Sequence, residues 1–341
     1  MSLSTNRQIN PKVSYDAIDV MRLICSFLVV VIHCKPFLPY SQTLNTFTAE
    51  GFCRIAVPFF FVVSGTFLYK KILSSDCKNV WERLRICFHQ SSKIIILYLV
   101  WSVVYIALNM VLTQPWGWGF FADQIRLLFC DASYYHFWYL PALIYGQFLF
   151  GFFCCLKRKG LFGLITVGWL CQCLKYSYRW IPFGGIIPWT TDLFNAAMST
   201  VFCAVPMLSL SILCCQDYKK KTLKAWVIQT LLWFAINQTE LAALYFWSPN
   251  KLHFEFLLSM PMLIYNLINL LLNLSFSFKN RRIPVYLRSM SRWVYCIHPL
   301  MITVFGCFHT SEGIRRFIVV IMCVIVTGIL YVAVQSRRMR R

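Results

Sequence analysis

Three ionisable side chains recur on one face of the first apolar block: Asp19, Arg22 and His33. A helix turns 100° per residue, so the eleven steps from Arg22 to His33 leave them about 20° apart, and all three fall within an arc of about 60°. The rise between Arg22 and His33 is about 16 Å, roughly half the hydrocarbon thickness of a bilayer. An imidazole suits proton transfer near neutral pH, and a guanidinium suits an anionic group. A charge held in hydrocarbon costs at least about 2.5 kcal/mol on the most lenient scale, so each needs a partner, a wet cavity or a task. Asp19 and Arg22, three residues apart, also fit a packing ion pair, and His33 also fits a cap at the outer interface.

Other residues are candidates on chemical grounds. Glu240 lies well inside a later apolar block, and either it or Asp19 is of the right type to fix the tautomer of the His33 imidazole. Arg83 and Arg85, with His89 and Lys93 following, form a basic cluster in the loop before the third block. Such a cluster fits a phosphorylated cofactor, lipid headgroups or simple membrane orientation. His136 precedes the run Phe137-Trp138-Tyr139, which also fits an interfacial aromatic belt. His298, before Pro299 in the inner third of the ninth block, fits a core histidine or a catalytic one. His253 and His309 read as loop residues.

The elements that must position these groups follow from composition. Of the 341 residues 59% are hydrophobic and only 13% charged, and mean hydropathy is +0.61. That excludes a water-soluble globule, which carries roughly 25% charge. The apolar residues fall in blocks of about 20, the length that crosses a bilayer as helix. The sequence predicts an all-α, polytopic membrane protein, a bundle of about ten transmembrane helices. They are placed at 17–38, 52–72, 93–113, 136–156, 160–174, 193–215, 225–247, 255–276, 292–309 and 317–335. The Pro182, Gly184, Gly185 and Pro188 cluster reads as a turn or re-entrant segment. Residues 1–15 read as a cytoplasmic tail, 16–335 as one membrane domain and 336–341 as a basic cytoplasmic end.

Net charge is +21, but the cations sit in short loops between apolar blocks rather than in a nucleic-acid-binding face. With the N-terminus inside, basic residues of the inner loops outnumber the outer ones about three to one, which places both termini in the cytoplasm of a multi-pass plasma-membrane protein. The 16 cysteines lie mostly within apolar blocks, with no C-x-x-C pair. They read as small hydrophobes, so neither disulfides nor a metal site is expected. Nothing in the sequence sets the oligomeric state.

Four segments carry a family resemblance. "IDVMRLICSFLVVVIHCKPF" (18–37) resembles the first helix of the membrane acyltransferase-3 family, with an Arg and a His separated by ten residues. "RIAVPFFFVVSGTFL" (54–68), "HFWYLPALIYG" (136–146) and "RWVYCIHPLM" (292–301) resemble later landmarks of that family, in family order. Within it, "HCKPF" and "RIAVPFFFVVSG" look closest to the N-terminal membrane domain of the serine racemases of vancomycin resistance, which is associated with L-serine supply. The resemblance implies transfer of an acetyl or other short acyl group from cytoplasmic acyl-CoA (acetyl-CoA) to a hydroxyl on a cell-surface glycan or related metabolite. It implies His33 as general base or acyl relay, Arg22 as a donor-positioning group, and Arg83 and Arg85 as holders of the CoA phosphates. The arginines here are two apart with no proline following, whereas the family pattern has them three apart and followed by prolines. The chain ends at Arg341, so no pyridoxal phosphate site is assigned to it. Both a stand-alone acyltransferase and the membrane part of a racemase fit, the latter with L-serine as its ligand and no acyl transfer.

Overall fold

The computed structural model describes residues 15–113, 117–180, 199–248, 254–307 and 313–338. Among the described residues the regular elements are all helical. In chain order they are α1 (Asp16–Cys34), a short α2 (Gln42–Asn45), a π turn (Thr46–Gly51) and a 3-10 turn (Phe52–Ile55). Then come α3 (Ala56–Ser74), α4 (Val80–Thr113), α5 (Trp118–Cys130), α6 (Tyr139–Phe153) and α7 (Arg158–Lys175). A second π turn (Thr200–Ala204) leads into α8 (Val205–Asp217), followed by α9 (Leu223–Trp247), α10 (Met260–Asn273), α11 (Arg282–Cys307) and α12 (Ile314–Arg338).

Among the described residues, five helical stretches are long and apolar enough to cross a membrane: Asp16–Cys34, Gln42–Ser74, Val80–Leu112, Thr200–Asp217 and Ile314–Arg337. α6 and α10 are apolar but shorter. Several predicted boundaries move. α4 begins at Val80 rather than 93, and α11 at Arg282 rather than 292. Hydropathy stops where charge begins, but a helix does not, because Arg and Lys are good helix formers. The 34 residues of α4 make a rod of about 51 Å, well beyond a hydrocarbon core of about 30 Å. Its first turns therefore carry Arg83, Arg85, His89 and Lys93 as helix rather than loop. The Pro182–Pro188 cluster, the tail up to residue 14, His253, His309 and the last three residues lie outside the described residues.

The chain divides into two compact units, with the boundary inside α3. One comprises residues 61–220. Its centre is the segment Thr200–Asp217, buried over most of its length and packed by α6 and α7. Close approach here depends on missing side chains: a methyl on Gly65 would lie 2.4 Å from Ser211 Oγ, and one on Gly168 2.6 Å from Pro206 Cγ. Without a hydrophobic effect between helices in lipid, such small-residue contacts carry the packing. Asp217 ends α8 with its side chain 3% exposed, held by both nitrogens of the Arg158 fork at 2.9 and 2.6 Å and by Lys220. Arg158, predicted as a loop cation, is thus the first residue of α7 and an ion-pair partner.

The other unit comprises residues 10–60 and 221–341. α1 packs along α11, α11 along α12, and α9 along α10, which also touches α1. α1 ends because Lys35 turns into the left-handed region at φ 45°, its N–H closing on Val31 O at 3.0 Å, and Pro36 follows. Thr222 Oγ caps α9, and Pro261 sits in the first turn of α10, where its missing N–H costs nothing.

Candidate active site

In the unit built on α1 and α11, two stripes of polar residues face each other. α1 contributes Asp19, Arg22 and His33; α11 contributes Arg288, Ser291 and His298. The two helices run in the same direction, so the stripes meet rung by rung. Near the start of α1, Asp19 Oδ1 accepts from Arg22 Nη1 at 3.0 Å, and Asp19 Oδ2 accepts from Arg288 Nη1. The Asp19 side chain is only 3% exposed, against 21% for Arg22 and 42% for Arg288. One rung above, Ser291 Oγ donates to the Arg22 carbonyl at 3.1 Å. At the far end the imidazoles of His33 and His298 stack, ring centroids 5.3 Å apart and planes 28° apart.

His298 is fully buried, whereas His33 is half-buried. His298 Nδ1 lies 3.0 Å from the Val294 carbonyl. A carbonyl only accepts, so Nδ1 carries the hydrogen and Nε2 is the lone-pair nitrogen of the neutral ring. His298 is not in the inner third of its helix, as the apolar block suggests. With α11 starting at Arg282, it lies about 24 Å up the helix, level with His33.

A charged group flanks the histidines. Beyond Lys35 the chain folds over the end of α1, and Glu50 accepts from Lys35 Nζ at 3.1 Å and from Arg54. Arg54 Nη2 also reaches Glu255 Oε1 at 3.1 Å. Lys35 and Arg54 both lie within electrostatic reach of His33.

The two carboxylates proposed from sequence to orient His33 are placed elsewhere. Asp19 is about 21 Å of helical rise below it and is held by the two arginines. Glu240 accepts from the N–H groups of Leu258 and Ser259, the latter at 2.9 Å, and so caps the start of α10. A buried helix start exposes N–H groups that need such an acceptor.

The remaining candidates lie in the other unit. Arg83 and Arg85, two apart on α4, point to different sides of the helix. Arg83 is half-buried and donates from Nε to the Gly151 carbonyl at 3.1 Å; Arg85 and Lys93 are exposed. His136 is buried among aromatic rings, 3.8 Å from Phe137 and 5.1 Å from Tyr105 between centroids. Trp138 is half-buried against Phe61.

Sequence reasoning missed Arg288, Ser291, Glu50, Arg54 and Glu255. A signal for the first two existed. Arg288, Ser291, Tyr295 and His298 recur at three-, four- and three-residue steps, a single helical face. It is hidden because Arg288 lies outside the apolar block. Glu50 and Arg54 likewise stand four apart.

A family profile described as "Acyltransferase domain" matches residues 15–334. A serine/alanine racemase of Enterococcus gallinarum is 27% identical over 310 residues, 87% of this chain and 42% of that protein. An amino-acid racemase of Enterococcus faecalis is 24% identical over 322 residues, 90% of this chain and 44% of that protein. Another from the same organism is 32% identical over 133 residues, 39% of this chain and 18% of that protein. The chain thus spans less than half the length of these curated relatives. No solved structure matches.

Proposed function

This chain belongs to the acyltransferase-3 family, and on that premise we propose that it moves an acetyl or other short acyl group from acyl-CoA to a hydroxyl on a cell-surface glycan or related metabolite, in the plasma membrane. The observation that carries this reading is the stacked His33–His298 pair at one end of two facing polar stripes, with the Asp19–Arg22–Arg288 cluster at the other.

In the proposed reaction His33 takes the proton of the acceptor hydroxyl as its oxygen attacks the thioester carbonyl. The tetrahedral adduct collapses, the C–S bond breaks, and the imidazolium returns the proton to the departing thiolate. An O-ester and free coenzyme A result. General-base help of this kind is worth roughly 10²–10⁴-fold. His298, fixed through Nδ1 on Val294, holds the His33 ring from the side. Arg22 and Arg288, clamped by Asp19, give the donor's anionic end a rigid cationic partner.

The decisive experiment follows labelled acetyl from acetyl-CoA in membranes bearing the unaltered chain or its His33→Ala variant. Transfer by the first and none by the second is expected; full activity in the variant ends the proposal. A second reading is favoured by the relatives, which are named as racemases: the chain binds L-serine and does no acyl chemistry. A ligand that binds only the native state raises its melting temperature. Stabilisation by coenzyme A supports the transferase, and stabilisation by L-serine alone supports the second reading.

A further inference from the structure

Helix α10 carries three asparagines, Asn266, Asn269 and Asn273, on one arc of about 60° in an otherwise Leu- and Ile-rich sequence. Asn266 and Asn269 are 1% and 0% exposed. Each amide is anchored to its own helix: Asn266 Nδ2 donates to Met262 O at 2.7 Å, and Asn269 Nδ2 to Tyr265 O at 2.7 Å. That tether uses Nδ2 and leaves Oδ1 as the remaining acceptor of each amide. Both Oδ1 atoms are buried and have no hydrogen-bond partner among the described residues. An amide oxygen buried without a donor is a net cost to folding that a Leu would not incur. Two of them, one turn apart on a helix that touches α1, call for a molecule that brings the donors.

Three residues of helical rise separate the two anchors by about 4.5 Å. Two N–H groups on one chain, four bonds apart, span about 5 Å when extended, given bond lengths of about 1.3–1.5 Å. The pantetheine arm of an acyl-CoA has this arrangement: two secondary amides joined through a β-alanyl unit. We propose that Asn266 Oδ1 and Asn269 Oδ1 receive the two amide N–H groups of the pantetheine arm, and that this pair sets the register of the thioester along α1. The inference rests on the acyl-CoA reading above. It assigns binding of the arm to α10, a helix with no role in the base chemistry. The Asn pair is a positioning device, so its loss raises KM for the donor more than it lowers kcat.

The test uses the full chain in nanodiscs, the variants Asn266→Leu, Asn269→Leu and the double variant, and three probes: coenzyme A, pantetheine and N-acetylcysteamine, which keeps one amide. Binding is read by displacement of labelled acetyl-CoA, together with the melting temperature of each apo variant. About a tenfold rise in the pantetheine Kd per substitution is expected, with the preference for pantetheine over N-acetylcysteamine lost in the double variant and the melting temperature equal or higher. Unchanged pantetheine affinity in the folded double variant would overturn the inference while leaving the transferase reading intact. A several-degree loss of melting temperature, or failure to fold, would show that the amides are bonded within the resting protein and would overturn it too. Absence of coenzyme A binding by the unaltered chain would end both this inference and the reading beneath it.

Discussion

The His33–His298 stack predicts strongly non-additive kinetics. His298→Asn is the informative substitution, because the Asn amide can still donate to the Val294 carbonyl, 3.0 Å from Nδ1 in the parent. The variant keeps the anchor and removes the ring that faces His33 across 5.3 Å. General-base loss in His33→Ala costs roughly 10²–10⁴-fold, or about 2.7–5.4 kcal/mol at 1.36 kcal/mol per tenfold. If the two rings work as one unit, His298→Asn loses a comparable factor, and the double variant falls little below either single one. Independent rings would instead multiply, to roughly 10⁴–10⁸-fold on the same scale. The assay is initial transfer of labelled acetyl from acetyl-CoA in membranes, with a dynamic range of at least about 10⁴ and expression normalised by immunoblot. A fully active His298→Asn variant, or a multiplicative double variant, would refute the argument that the stack is a single functional element.

Asp19→Ala should lower the melting temperature of the detergent-solubilised protein more than Arg288→Ala does. The first strips a 3%-exposed carboxylate from two guanidiniums, 21% and 42% exposed, and with solvent screening of the arginines is worth about 1–3 kcal/mol. The second removes a partner that is 42% exposed, which salt and solvent discount to about 1 kcal/mol; the reverse order would contradict the geometry. Gly65→Ala should destabilise by about 1–3 kcal/mol through overpacking, since its methyl would lie 2.4 Å from Ser211 Oγ. Ser211→Gly should restore much of that loss in a thermal melt, and absence of rescue would rule out the clash as the cause.

The stripe of α1 was legible in the sequence because one helix sets its own angular arithmetic: Asp19, Arg22 and His33 share a face whatever packs against it. The membrane class and the helical fold were legible for a similar reason, since block length and charge content are properties of the chain alone. Helix ends were less so. α4 and α11 run on through basic turns that a hydropathy count assigns to loops.

What the sequence by itself determined is which side chains point the same way along each rod, and that these rods are apolar enough to leave water. What only the tertiary structure decided is which rods meet. It brought His298 onto His33, put Arg288 beside Asp19, drew Glu50, Arg54 and Glu255 together at the far end of α1, and turned Glu240 into a cap for α10. The physical reason is range. Helical periodicity relates residues a few positions apart, whereas the Asp19–Arg288 pair joins residues 269 positions apart, and no local rule links them.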